Sequence, residues 1–163
     1  YALLRDGAAL VRLHNRTAAR ADALVASLSD ATNRLTAASP DAAQAVQDCD
    51  LLVNCTTLGM AHSPPADAAY LAETEIPAGI LVCDIVANPP ETPLLTRARA
   101  RGCRTLGGLP MLIRQGAAAF ELWTGHEAPL EVMFRAAGAV LRTEDSAVLG
   151  PNTPTTRYHG TRH

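Results

Sequence analysis

The chain of 163 residues has no lysine; all 14 of its basic side chains are arginines. Arginine stays protonated and is a poor general acid or base, so the sequence offers no amine for moving a proton. No activated-nucleophile pattern is visible either. Cysteine is sparse: Cys49, Cys55, Cys83 and Cys103 are widely spaced with no C-x-x-C pair, which argues against a zinc knuckle or a redox dithiol. Three of them lie in or beside apolar strand-like runs, where Cys behaves as a small hydrophobe. Buried, reduced thiols in a cytoplasmic protein are therefore expected. The histidines show no metal-ligand spacing. Apolar runs fall short of the roughly 20 residues that span a bilayer. A net charge of −2 gives no general electrostatic reason to bind nucleic acid or an anionic membrane. Position 1 is not Met, and Tyr1-Ala2-Leu3-Leu4-Arg5-Asp6 reads as the last turns of a helix ending at Gly7. The expectation is a chain that begins inside a longer polypeptide; a start with its Met removed is the other reading.

What is present suits one globular domain, since 48% hydrophobic and 18% charged residues can build a real core at this length. Leu10 to His14 reads as a short strand, and Ala18 to Leu28 as a helix with Ala21, Leu24, Val25 and Leu28 at helical spacing. Leu35 lies in a short strand. Ser39-Pro40-Asp41 opens the next helix, with Ser39 as its cap and Pro40 at its first position. Asp50 to Asn54 is expected to be a buried strand, and Ile80 to Val86 another, nearly all apolar, as in parallel sheets covered on both faces. Thr92-Pro93 begins a helix that stops at Gly102, Arg104 to Leu106 is a brief strand, and helices follow over Gly108 to Thr124 and Pro129 to Thr143. Strands alternating with helices imply right-handed β-α units and a parallel sheet. The expected fold is α/β and Rossmann-like, an open, mainly parallel sheet with helices on both faces. The domain spans 1–143, and the polar, Pro- and Gly-containing stretch 144–163 is expected to be a disordered tail.

In such sheets ligands bind at the carboxyl ends of the strands, which points to His14 to Thr17, Asn54 to Met60 and Asp84 to Pro90. Asn15-Arg16-Thr17 lies between a strand and a helix, where an acid would bind the 2′-hydroxyl of NAD and an arginine the 2′-phosphate of NADP. The acid is absent. Arg16 offers a planar fork of donors, Thr17 a hydroxyl at a helix start, and Arg20 a second charge one turn on. Taken alone, the same residues also fit a capped helix with a solvated arginine. In Asn54-Cys55-Thr56-Thr57-Leu58-Gly59-Met60, small hydroxyl residues and Gly let the backbone approach a flat ligand, although Asn and Thr are also common turn formers. Met111, Leu112, Gln115 and Ala119 fall near one face of their helix. The Gln115 amide, both donor and acceptor, suits a polyhydroxylated substrate or equally a backbone partner at the edge of the core. Asp84 stands at a strand end but on the wrong loop for a base.

Together these segments resemble the shikimate/quinate dehydrogenase family over about Leu3 to Phe134. The anchors are Asn15 to Thr17, Asn54 to Met60, Asp84-Ile85-Val86-Ala87-Asn88-Pro89-Pro90-Glu91-Thr92-Pro93-Leu94-Leu95 and Gly108 through Gly125. The resemblance implies an enzyme that reduces 3-dehydroshikimate to shikimate reversibly with NADP, in aromatic amino-acid biosynthesis. By position, Asn15, Arg16, Thr17 and Arg20 resemble the family's clamp on the 2′-phosphate. Thr56 and Thr57 resemble the loop beside the cofactor; Ile85 and Gly108, with Met111, resemble contacts near the nicotinamide. Gln115 is similar to the Gln that bonds the substrate hydroxyls. The family's first strand, its glycine-rich loop and the domain with its catalytic Lys and Asp would precede Tyr1, so no catalytic residue is assigned in this chain and isolated activity is not expected. Ala87 stands where the family usually has a Tyr that touches substrate, Gly107 replaces a frequent Asp and Pro110 a frequent Gly. These departures leave room for quinate or another polyol acid, or for a non-catalytic, ligand-sensing member. An uncovered strand edge would also let two copies pair as a homodimer.

Overall fold

Among the described residues, five strands of three or four residues each have a parallel partner. The computed structural model describes residues 1–28, 34–61 and 69–141. In it β1 (Val11–Leu13) pairs with β2 (Leu35–Ala37), while β3 (Leu51–Asn54) pairs with β4 (Leu81–Asp84) and β4 with β5 (Arg104–Leu106). Helix α1 (Ala2–Arg5) precedes β1, and α2 (Ala18–Leu28), α3 (Ala42–Ala45) and α4 (Pro93–Ala100) alternate with the strands. Helices α5 (Leu109–Thr124) and α6 (Leu130–Leu141) follow β5.

The parallel α/β arrangement is the one that the alternation of elements implied. The strands form two sheets, however, with orders β1-β2 and β3-β4-β5. Neither β1 nor β2 is hydrogen-bonded to β3, β4 or β5. Side chains bridge the parting: the Arg12 guanidinium donates to the Gln47 carbonyl, and the His14 and Tyr70 rings meet edge to face at 5.1 Å. One expectation is corrected: β3 is not fully buried, since Leu51 and Val53, which share one face, are each 36% exposed while Asn54 on the other face is buried.

Helix ends follow cap chemistry. Thr92 caps α4 by accepting from the Leu95 N–H at 3.3 Å, Pro93 fills the first position, and Gly102 at φ 72° ends the turn beyond it. Gly125, left-handed at φ 70°, closes α5. At α3 the expected cap is wrong: Asp41, not Ser39, accepts from the Ala43 N–H, and Pro40 lies outside the helix. The Ser39 hydroxyl is engaged elsewhere, accepting from the Asp41 N–H and donating to Gln44 Oε1. Cys55 is exposed rather than buried, and Cys49 and Cys83 are half-buried. The strand read over Ile80 to Val86 ends at Asp84 because the Val86 N–H turns to the Asp84 carboxylate. The final helix is described to Leu141; Thr143 and the stretch 144–163 lie outside the described residues. No helix among the described residues is long and apolar enough to cross a membrane.

The core lies between α4 and the β3-β4-β5 sheet. Val82 on the central strand, Leu94, Leu95 and Ala98 along α4, and Leu71 and Ile76 from the preceding loop form one buried cluster. Leu95 has no exposed surface, whereas Leu122 on α5 is 83% exposed. Leu95→Ala is therefore expected to lower unfolding free energy by roughly 2–5 kcal/mol and Leu122→Ala by no more than about 0.5 kcal/mol. Denaturant melts of the two variants check this, and equal effects would contradict the placement of the core.

Candidate functional site

Parallel strands deliver their exit loops to one end of a sheet, so β3, β4 and β5 bring Asn54 to Met60, Ile85 to Pro90 and Gly107-Gly108 together. Their joint is polar and buried. Asn54 and Asp84 are register partners at the ends of adjacent strands, and both are buried, Asp84 completely. Asn54 Nδ2 donates to Asp84 Oδ1 at 3.0 Å, as does the Val86 N–H, and the Thr92 hydroxyl donates to Asp84 Oδ2 at 2.7 Å. Asn54 Oδ1 accepts from the Thr56 N–H at 3.0 Å and the Thr56 hydroxyl at 2.7 Å, and Thr56 Oγ1 accepts from the Leu58 N–H. Two backbone bonds close the arrangement: the Ala61 N–H donates to the Asn88 carbonyl at 2.9 Å and the Gly108 N–H to the Val86 carbonyl at 3.2 Å. The Asn88–Pro89 peptide within the β4 exit is cis.

Gly108 shows why this joint is so tight. A Cβ there would fall on the Ile85 carbonyl and 2.6 Å from the Val86 carbonyl oxygen. Ile85 and Gly108, assigned to one contact region from the sequence, are thus brought together by the backbone. Thr56 is joined to them through Asn54 and Asp84; Thr57, also exposed, lies beside it in the same turn. Both oxygens of Asp84 accept hydrogen bonds inside the protein, which rules it out as a solvent-facing base. Although Cys55 is exposed as a residue, partial desolvation of its thiol, reinforced by the Asp84 charge, raises it above its ordinary pKa. Burial first, then Asp84 and Cys55, does the same to Cys83. Both are held as thiols rather than nucleophilic thiolates.

A second group lies at the exit of β1. Asn15, Arg16, Thr17 and Arg20 are all exposed. Asn15 Oδ1 accepts from the Thr17 N–H at 2.9 Å, and the Arg20 N–H bonds the Thr17 carbonyl as α2 begins. His14, just before this turn, is linked to the Ser39 carbonyl at 2.9 Å. On α5 the buried stripe is Leu109, Ile113 and Ala117, which turns Met111, Leu112 and Gln115 outward; Met111 is 48% exposed. Gln115 Nε2 donates to the Leu112 carbonyl at 3.1 Å. That is a backbone partner, one of the two roles its amide suits, but it lies on an exposed face rather than at the core edge. Among the described residues no group of three or more His, Cys, Asp or Glu could hold a metal.

A family model described as the shikimate 5′-dehydrogenase C-terminal domain matches residues 108–137. The chain is 43% identical over 141 residues to the shikimate dehydrogenase (NADP(+)) of Moorella thermoacetica, covering 83% of this chain and 46% of that protein. The chain is similar to the carboxy-terminal part of the shikimate dehydrogenase family. It spans about half the length of the curated family members it matches, so it corresponds to their carboxy-terminal part. Among solved family structures, shikimate 5-dehydrogenase from Thermus thermophilus in complex with NADP(H) and shikimate superposes with a TM-score of 0.70 at 35% identity, over 85% of this chain and 49% of that one. Quinate dehydrogenase from Corynebacterium glutamicum in complex with NAD gives 0.72 at 31% identity, over 86% and 50%.

What reading residues in order missed is the Asn54–Asp84–Thr92 joint. The available signal was two polar side chains ending adjacent apolar strands, followed after eight residues by a helix-capping Thr. Gly108→Ala is expected to force Ile85 and Gly108 apart, because backbone atoms cannot yield as a side chain would; the loss is about 1–3 kcal/mol or more. A melt of Gly108→Ala that overlays the parent's would contradict the close approach.

Proposed function

We propose that this chain supplies the nucleotide-holding part of an NADP-dependent oxidoreductase of shikimate dehydrogenase type, interconverting 3-dehydroshikimate and shikimate. The observation that carries the reading is the β1 exit. An Asn15–Thr17 bond preforms the turn, two exposed guanidiniums flank the start of an 11-residue helix, and the first carboxylate, Asp22, comes only in that helix's second turn. This donor set fits a 2′-phosphate: the arginine fork matches it, the helix start favours an anion, and no acid stands at the strand end to claim a 2′-hydroxyl instead. The names of the family members, shikimate dehydrogenase (NADP(+)) among them, support the same cofactor.

NADPH, when bound, supplies the hydride that a ketone carbon accepts. Asn15, Arg16, Thr17 and Arg20 would hold the adenosine 2′-phosphate, and Thr56 and Thr57 the edge of the cofactor beyond it. Ile85, Gly108 and Met111 would border the nicotinamide, Gly108 because its missing Cβ lets its loop close against the Ile85–Val86 backbone. Gln115 would bond substrate hydroxyls with the parts of its amide that Leu112 does not use. Neither a lysine, of which the chain has none, nor Asp84, whose two oxygens are both committed, serves as the proton donor to the ketone oxygen in this reading. Ala87, without a hydroxyl, favours a second reading of the substrate as quinate or a related polyol acid, and the likeness to a quinate dehydrogenase supports it.

Titration of NADP+ and NAD+ into the chain and into Arg16→Ala tests the reading. The parent is expected to prefer NADP+. Arg16→Ala should lose roughly ten- to a hundredfold in NADP+ affinity, the value of a charge-assisted hydrogen bond, with NAD+ affinity unchanged. Equal parent affinities, or no loss on substitution, would overturn it. The chain alone should form no NADPH from shikimate and NADP+; measurable turnover would refute that part.

A further inference from the structure

A carboxylate without exposed surface is costly unless its lone pairs are met, and those of Asp84 are met only by donors: Asn54 Nδ2, the Val86 N–H and the Thr92 hydroxyl. Each donor belongs to a different segment and passes the connection on. Asn54 holds Thr56, on the β3 exit. Val86, anchored by its N–H to Asp84, receives the Gly108 N–H on its carbonyl, which reaches the β5 exit. Thr92 accepts from the Leu95 N–H and so seats α4.

The geometry points to Asp84 as a positioning residue that holds the exits of β3, β4 and β5 in one arrangement, through the polarity of its carboxylate rather than through packing. Asparagine at 84 would have the same shape. Its NH2 must either confront two donors on the Oδ1 side or meet the Thr92 hydroxyl, whose own proton then loses its acceptor. The consequence for binding rests on the nucleotide-site reading above, because Thr56, Ile85 and Gly108 ride on these exits; the coupling itself does not.

Backbone hydrogen exchange resolved by NMR separates the two. In Asp84→Asn the Thr56 and Leu58 amides, neither bonded to Asp84, are expected to exchange roughly ten- to a hundredfold faster along with Val86, while Arg104, paired to the Ile80 carbonyl within the sheet, is unchanged. Faster exchange at Val86 and Leu95 with Thr56 and Leu58 unaltered would overturn the coupling. If Asp84→Asn fails to fold, Thr92→Val and Thr92→Ser decide: Thr56 and Leu58 loosened by Val but not by Ser supports it, and no effect of either overturns it. NADP+ titration of the same proteins gives the second arm. Weaker binding by Asp84→Asn supports the positioning role, and unchanged binding despite loosened exits overturns it. If the parent binds no NADP+ but shows the exchange pattern, the coupling is supported and the nucleotide reading alone falls.

Discussion

The Asp84 carboxylate, fully buried and bonded on both oxygens, is the constraint around which the site end of the molecule is arranged. Hydrogen bonds to a charged acceptor are among the stronger ones in proteins, and an unmet charge at this depth would cost far more than any one of them returns. The neighbours are therefore not interchangeable. Asn54 must stand opposite in strand register, with its amide turned so that nitrogen faces Asp84 and oxygen faces Thr56. Thr92 must both donate to the carboxylate and cap α4. The apolar cluster beneath, Val82 with Leu94, Leu95 and Ala98, keeps β4 and α4 close enough for those bonds to form.

Two kinds of electrostatics are thus kept apart. The buried charge orders loops and is unavailable to solvent; it also helps to hold Cys55 and Cys83 in the neutral thiol form. The exposed charges, Arg16 and Arg20, stand at the β1 exit on a turn shaped by Asn15, where a phosphate could reach them without desolvating anything buried. The rigid joint and the exposed guanidiniums thus lie at the ends of different sheets.

Local chemistry was legible in the residues themselves. The helix over Ala18 to Leu28 follows its apolar spacing, Thr92-Pro93 announces α4, and Gly125 ends α5 because a left-handed residue is needed there. Where several residues could serve, the pattern was ambiguous: Ser39, Pro40 and Asp41 all suit a helix start, and only the partners of the Ser39 hydroxyl leave the cap to Asp41. Properties set by distant segments were not legible. An apolar β3 looks buried in one dimension, but its exposure depends on what packs over each face, and the face that carries Leu51 and Val53 is left partly open. Asp84 looks like an unplaced acid until Asn54, thirty residues earlier, is seen opposite it. The pairing of Ile85 with Gly108 came only from the family resemblance, and its cause, two backbones too close for a Cβ, is a feature of the fold.

The proposed function requires the Asn15–Arg20 turn and the loops tied by Asp84 to form one nucleotide site. A crystal structure of the chain with NADP+ decides this. The 2′-phosphate is expected against Arg16 and Thr17, with the nicotinamide end beside Ile85 and Gly108. A cofactor bound elsewhere on the chain, or with its phosphate away from Arg16, would contradict it.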